Sequence, residues 1–258
     1  MEKWESLQWI FPMPLEITFQ SLRLQLSKLL PAACVVCGQS CFNIYSLCNE
    51  CEYALPWTKT SCKQCGLEKD INTMVNMSCG HCLINPPVFN YCNAVFRYVS
   101  PVNKLVANFK FNAHFDAGHC LSSLMAKKMQ NAYANEEKPQ LIIPVPLHRN
   151  RIRKRGFNQA LEIGKVVSRR CQIALAHSVV CRSRDTSPQT ELRSAQARKL
   201  NLSNAFVVSD KAALRNSSFV VLLDDVVTTM ATANAISKVL RHQGIRRIDV
   251  WCLARASR

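Results

Sequence analysis

The chain holds 258 residues, 48% hydrophobic and 19% charged, with 7 Gly and 11 Pro, a length for one or two domains and a composition that excludes a low-complexity or disordered polymer. No apolar run approaches the roughly 20 residues of a membrane helix, and Glu2 and Glu5 stand where an export signal would be basic, so a soluble, unexported protein is expected. The net charge of +16 is uneven: residues 1–138 hold 12 basic against 10 acidic side chains, or +2, and residues 139–258 hold 21 against 7, or +14, so the second part should meet an anion such as a phosphate, a nucleotide or a nucleic acid.

In chain order, Leu15, Phe19, Leu22, Leu26, Leu29 and Leu30 recur at helical spacing with Glu16, Arg23 and Lys28 between them. The spacing predicts a leading amphipathic helix within residues 1–30, docked on its own domain, with a membrane surface as the alternative.

Residues 31–88 hold four Cys-x-x-Cys pairs among the chain's 14 cysteines: Cys34/Cys37, Cys48/Cys51, Cys62/Cys65 and Cys79/Cys82. Without an export signal these read as metal ligands and not as a disulfide framework. Ten residues separate the first two pairs and 13 the last two, so each unit can close its own tetrahedral thiolate site. Two structural zinc ions are expected. Gly38 and Gly66 follow the second cysteine of a pair and suit a tight turn, while Cys41 and His81 could substitute as ligands. Cys92, Cys120, Cys171, Cys181 and Cys252 lie in apolar surroundings and are expected as buried thiols.

Residues 89–258 alternate strands and helices. Expected strands are 91–98, 140–145, 177–182, 219–223 and 247–253; expected helices are 101–111, 115–134, 157–171 and 229–242, with Ser100 as a cap before Pro101. Nearly all-apolar strands such as Phe219-Val-Val-Leu-Leu223 belong in a parallel sheet covered on both faces, which makes an α/β domain. Residues 184–204 are polar and read as a loop or flap.

Three constellations carry chemistry. The strand ending at Leu223 runs into Asp224 and Asp225, then Val226-Val227 and the hydroxyl-rich turn Thr228, Thr229, Met230, Ala231, Thr232 that opens a helix. Such a turn presents backbone N–H groups and the positive helix end to a phosphate, and the two acids can accept from vicinal sugar hydroxyls. A pentose phosphate satisfies both. The second constellation is the strand Ile142-Ile-Pro-Val-Pro, followed by Leu147, His148 and Arg149. The third is the basic run Arg149, Arg151, Arg153, Lys154, Arg155 beside that loop, an anion track in this setting. Phe42, Tyr45, Trp57 and Phe157 are candidate surfaces for stacking unpaired bases, though aromatic side chains usually belong to the core.

The acidic-pair turn resembles the phosphoribosyl pyrophosphate (PRPP) motif of type I phosphoribosyltransferases. The resemblance implies that Asp224 and Asp225 grip ribose, that residues 228–232 hold the 5′-phosphate, and that Leu147, His148 and Arg149 hold the pyrophosphate with Mg²⁺. Met230 stands where that motif has Gly, and its β-carbon and thioether are expected to crowd the ligand or alter the turn. The whole series is similar to the ComF competence family over residues 34–255. It runs from the Cys pairs through Phe96-Arg-Tyr98, Leu105 to Phe111, Pro-Val-Pro-Leu-His-Arg149, Arg155-Gly-Phe-Asn-Gln-Ala160 and Ser187 to Leu192 with Arg198 and Asn201, and closes on the acidic pair.

That resemblance implies a type I phosphoribosyltransferase-like parallel sheet behind an N-terminal double zinc-ribbon module. It also implies a cytoplasmic role in handling single-stranded DNA during natural transformation, with Arg198 joining the basic run as a nucleic-acid contact. The DNA-uptake machinery at the inner membrane is the implied neighbour. An active phosphoribosyltransferase of unknown acceptor and a regulator that binds PRPP without chemistry are the alternatives, and no residue declares a general base.

Overall fold

The computed structural model describes residues 31–43, 45–69, 78–183 and 205–256. The expected leading helix, the expected flap and Arg198 lie outside them.

The chain begins with short cysteine-bearing units. Strands β1 (Ala32–Ala33) and β2 (Ser40–Cys41) pair antiparallel, and helices α1 (Asn49–Ala54) and α2 (Gly80–Ile84) each start after a ligand-type cysteine. The α/β part then runs β3 (Tyr91–Arg97), α3 (Val102–Asn112), α4 (Phe115–Ala132), β4 (Leu141–Pro144), α5 (Arg149–Arg155), α6 (Gln159–Cys171) and β5 (Ala174–Leu175). It continues with β6 (Val180–Arg182), β7 (Phe206–Val208), a 3₁₀ turn (Ala212–Leu214), β8 (Phe219–Val227), α7 (Ala231–Arg241) and β9 (Arg247–Arg255). The main sheet has the order β3-β9-β8-β4-β5 and every pairing in it is parallel. Both faces are covered by helices, so the middle strand β8 is buried from Phe219 to Leu223, as an all-apolar run requires.

The structure differs from the sequence expectations at four places. The fifth strand of the sheet is Ala174–Leu175 and not residues 177–182, because Gln172 ends α6 in the left-handed region at φ 57° and turns the chain straight back into the sheet. Val180–Arg182 pairs antiparallel with Phe206–Val208 outside the main sheet. Cys181 therefore points outward and is exposed, and Cys171 is half-buried, so neither is a core thiol; Cys92, Cys120 and Cys252 are buried. Ser100 does not cap α3, whose N-cap position is Pro101 after a cis Ser100–Pro101 bond. The basic run, read as a stretch flanking a loop, is the helix α5, with His148 as its N-cap and Gly156 closing it at φ 86°.

The cysteine units cover the outer edge of β3, which would otherwise expose an unpaired ladder. Thr58 N–H donates to Val95 O at 3.1 Å, Arg97 N–H to Pro56 O at 2.9 Å and Cys92 N–H to Lys63 O at 3.1 Å. Trp57 stacks on the buried Phe96 with centroids 4.7 Å apart, and Lys128 lies over its ring. Trp57 is thus part of this junction and is withdrawn as a stacking surface.

Candidate functional site

The two cysteine units repeat one another almost atom for atom in their turns. Gly38 N–H donates to Cys34 O and Gly66 N–H to Cys62 O, each at 2.8 Å, with positive φ at both glycines. A β-carbon on Gly66 would stand 3.0 Å from Cys92 O. These turns bring Cys34, Cys37, Cys48 and Cys51 together, and likewise Cys62, Cys65, Cys79 and Cys82, with all sulfurs of a set within 4.8 Å of one another. Cys37 and Cys48 Sγ are 3.8 Å apart, and Cys65 and Cys79 Sγ 3.7 Å. Tetrahedral zinc with Zn–S bonds of about 2.3 Å places its sulfurs about 3.8 Å apart, so both sets fit structural zinc.

Burial pushes the Cys34 thiol up, but the backbone N–H groups of Cys37, Cys48 and Val36 outweigh it and bring it down to about 6. Cys62 is brought down to about 7 in the same way, against burial, by the N–H groups of Cys79 and Cys65. Each set therefore holds one thiol ready to ionise. Cys41 instead donates to Ala32 O, and His81 is exposed; neither belongs to a four-sulfur set.

The second site lies at the carboxyl edge of the parallel sheet. A cleft is lined by Asp224, Val227, Thr228, Met230, Ala231 and Thr232, among others. Asp225 is buried and takes an ion pair from Lys110 Nζ at 2.9 Å. Burial and the neighbouring Asp225 carboxylate push the Asp224 carboxyl up to about 7, against the pull of Lys110. The turn that follows is held by its own geometry. Met230 sits at the N-cap of α7 with φ 62° and ψ 2°, the left-handed conformation that Gly would take without cost and that costs a larger residue about 1–2 kcal/mol. Met230 is only 5% exposed and packs with the core, so the turn keeps its left-handed form and the burial of the side chain offsets the strain. Thr229 Oγ1 is enclosed without a hydrogen-bond partner among the described residues, while Thr228 is exposed. The first residues of α7, Ala231 to Ala233, line the cleft, and the opening turn of a helix has no intrahelical acceptors for its N–H groups.

The neighbouring strand β4 delivers the second constellation. Val145 N–H donates to Leu223 O at 2.9 Å, and the Asn158 side chain donates to Val145 O at 3.0 Å while capping α6. Leu147 and His148 follow half-buried, with His148 Nδ1 accepting from Asn150 N–H. Of the basic run, Arg149, Arg153 and Lys154 are exposed and Arg151 and Arg155 half-buried. Arg155 is drawn inward: it donates to Gln159 Oε1 at 2.7 Å and its guanidinium lies 5.2 Å from the centroid of the Phe111 ring. Its guanidinium is thereby held by partners within the protein, unlike the exposed Arg149, Arg153 and Lys154. Tyr45 is half-buried under Arg170, Phe157 packs in an aromatic cluster, and Phe42 is exposed.

Two site residues escaped the sequence reading. Lys110 lies in the Leu105 to Phe111 helix, where a lone lysine carries no pattern. Arg255 lies at the end of β9, buried at 5% exposure, and donates to Cys65 O at 2.9 Å, Val227 O at 3.0 Å, Ala256 O at 2.8 Å and Thr228 O. One guanidinium thus joins the second cysteine site to the strand end that feeds the cleft.

A double zinc ribbon domain family matches residues 25–83. The chain is 33% identical to the DNA utilization protein YhgH of Escherichia coli (strain K12) over 228 residues, 87% of this chain and 97% of the relative. It is 35% identical to competence protein F of Haemophilus influenzae over 216 residues, 81% of this chain and 90% of the relative. Competence protein ComFC of Streptococcus pneumoniae is 21% identical over 240 residues, 86% of this chain and 99% of the relative.

Proposed function

The chain belongs to the family of competence protein F and the DNA utilization proteins, and on that premise we propose that it handles single-stranded DNA during natural transformation. In this reading α5 tracks the strand's phosphates and a phosphoribosyltransferase-like cleft holds a pentose phosphate. The observation that carries it is the junction at the carboxyl edge of the sheet. A Thr-lined turn at a helix N-terminus stands beside an acidic pair, and a helix with exposed Arg149, Arg153 and Lys154 leaves the adjacent strand.

The two anion sites differ in chemistry. The helix α5 offers cations alone, which neutralise phosphates without regard to sequence. The cleft couples donors at residues 228–232 to acceptors at Asp224 and Asp225, and carboxylates repel a DNA backbone but accept from hydroxyls. Deoxyribose within a strand has no vicinal hydroxyl pair, so the cleft is better matched to a ribose phosphate such as PRPP, whose pyrophosphate would bring Mg²⁺ to Leu147, His148 and Arg149. The specific observation for this second ligand is the acidic pair itself, poised by Lys110. The zinc ribbons act as a scaffold on the β3 edge. A cytoplasmic setting beside the DNA-uptake machinery follows from the proposed role.

Fluorescence anisotropy with a labelled oligonucleotide at four salt concentrations tests it. Replacing Arg149, Arg153 and Lys154 together by Ala should lower the magnitude of the slope of log K against log[salt] by about 2, at roughly 0.7 per phosphate contact on a single strand. The pair Asp224→Asn, Asp225→Asn should abolish PRPP binding and leave DNA binding in place. An unchanged salt slope removes α5 from the DNA site, and loss of both ligands in the Asn pair removes the division of labour.

A further inference from the structure

Two phenylalanines near the cleft are open to solvent. Phe111 is 72% exposed and Phe115 50%, and they stand on either side of the left-handed Ala113, φ 52°, where α3 passes into α4. A single exposed apolar side chain is ordinary. Phe115 stands on a built base: it lies 4.9 Å from Phe157 and 6.1 Å from Phe109, and Phe109 lies 5.4 Å from Phe157, centroid to centroid. Phe109 is buried, so the Phe115 ring rests on the core. The Arg155 guanidinium is held over Phe111, and Lys110, one residue away, is anchored on Asp225. The corner therefore cannot swing away from the cleft without breaking an ion pair.

Its surroundings decide what it fits. The helix that brings Arg155 over Phe111 also carries the exposed cations Arg153 and Lys154, so the aromatic corner adjoins a strongly positive helix. An apolar protein partner would have to strip water from those cations, and interface cores are depleted in charge for that reason. An acidic peptide would use the cations and leave the rings idle. A nucleic-acid duplex hides its base faces against their neighbours. A single strand uses both features, stacking bases on rings while cations neutralise its phosphates.

We propose that the corner formed by Phe111 and Phe115 is a base-stacking surface for single-stranded nucleic acid, with the strand's phosphates lying along Arg153 and Lys154. The inference rests on the DNA reading above and adds that base faces, not phosphates alone, are recognised. Recognition by stacking is tolerant of sequence, because every base has a face.

The test compares a labelled thymidine oligonucleotide with an abasic oligonucleotide of the same length, binding to the full chain. Phe111→Ala should weaken binding of the base-bearing strand by about 5- to 150-fold if one base stacks there, and leave the abasic strand and the salt slope unchanged. Phe115→Ala removes a ring that also packs on Phe157, so Phe115→Leu is the second variant, keeping bulk without the aromatic face. Phe111→Trp should restore or tighten binding. If wild type binds both strands equally and the Phe variants change nothing, the stacking surface is overturned while the phosphate track stands. If wild type binds neither strand, the DNA reading itself falls. If the variants alter sedimentation of the free protein and not DNA affinity, the corner is a contact between copies and the inference is wrong.

Discussion

Replacing Arg255 by Leu should loosen two distant parts of the molecule at once. The guanidinium donates to the carbonyls of Cys65, Val227, Thr228 and Ala256, and Val227 O keeps a second donor in Ala256 N–H. Four carbonyls therefore lose a charged donor, Val227 O alone keeping the second donor just named, while the apolar volume is roughly conserved. At about 1.5 kcal/mol for each such bond, and less in sum because clustered bonds are not additive, the loss is about 3–4 kcal/mol. In a protein of this size that lowers the melting temperature by roughly 10 °C. Arg255→Lys should recover only part of it, because a point-like ammonium cannot span a fork of carbonyls. Thermal melts by circular dichroism give the stability, and capture of released zinc by a colorimetric chelator gives the metal. The expected result is that one of two zinc ions, the one on Cys62, Cys65, Cys79 and Cys82, leaves faster than in wild type while the other is unaffected. A variant that melts within about 1 kcal/mol of wild type and releases both ions at the wild-type rate would refute the strut.

Metal analysis of the freshly reduced protein should return two zinc per chain, and Cys34→Ser or Cys62→Ser should each remove one ion and unfold its unit, because structural zinc supplies folding free energy directly; near-zero zinc would end that assignment. Asp224 carries its proton up to about 7 in the folded protein and releases it near the ordinary carboxylate value when unfolded, so the folded state binds more protons between those values. Its contribution to stability is full below the unfolded value and is lost as pH rises through about 7. Asp224→Asn should accordingly be more stable than wild type at pH 8 and lose that advantage toward pH 4, and a difference in melting temperature that does not change with pH would refute the argument.

What the sequence discloses and what it hides divide along physical lines. The metal sites were legible because four thiolates per ion must come from turns of fixed shape, and turns of fixed shape leave fixed spacings. The parallel sheet was legible through β8, whose burial on both faces demands an unbroken apolar run, and the turn that opens α7 through the acids and hydroxyls that precede it. The fifth strand was missed because Ala174 and Leu175 are two residues at the sheet's edge, too few to show a period. Cys181 was misread because a three-residue strand alternates sides whatever its neighbours are.

Lys110 and Arg255 stayed hidden for a different reason. The ion pair joins Lys110 to Asp225 across 115 positions of sequence, and the hydrogen bond from Arg255 reaches back 190 positions to Cys65. Neither bond imposes a spacing on the chain near either end. Arg255 is harder still, because its partners are backbone carbonyls that any residue supplies, so no second side chain marks the place. The part of the molecule that ties ribbon to cleft therefore emerges only from coordinates. Cysteine module and cleft look like separate devices in the motifs, whereas one buried guanidinium bonds the backbone of both.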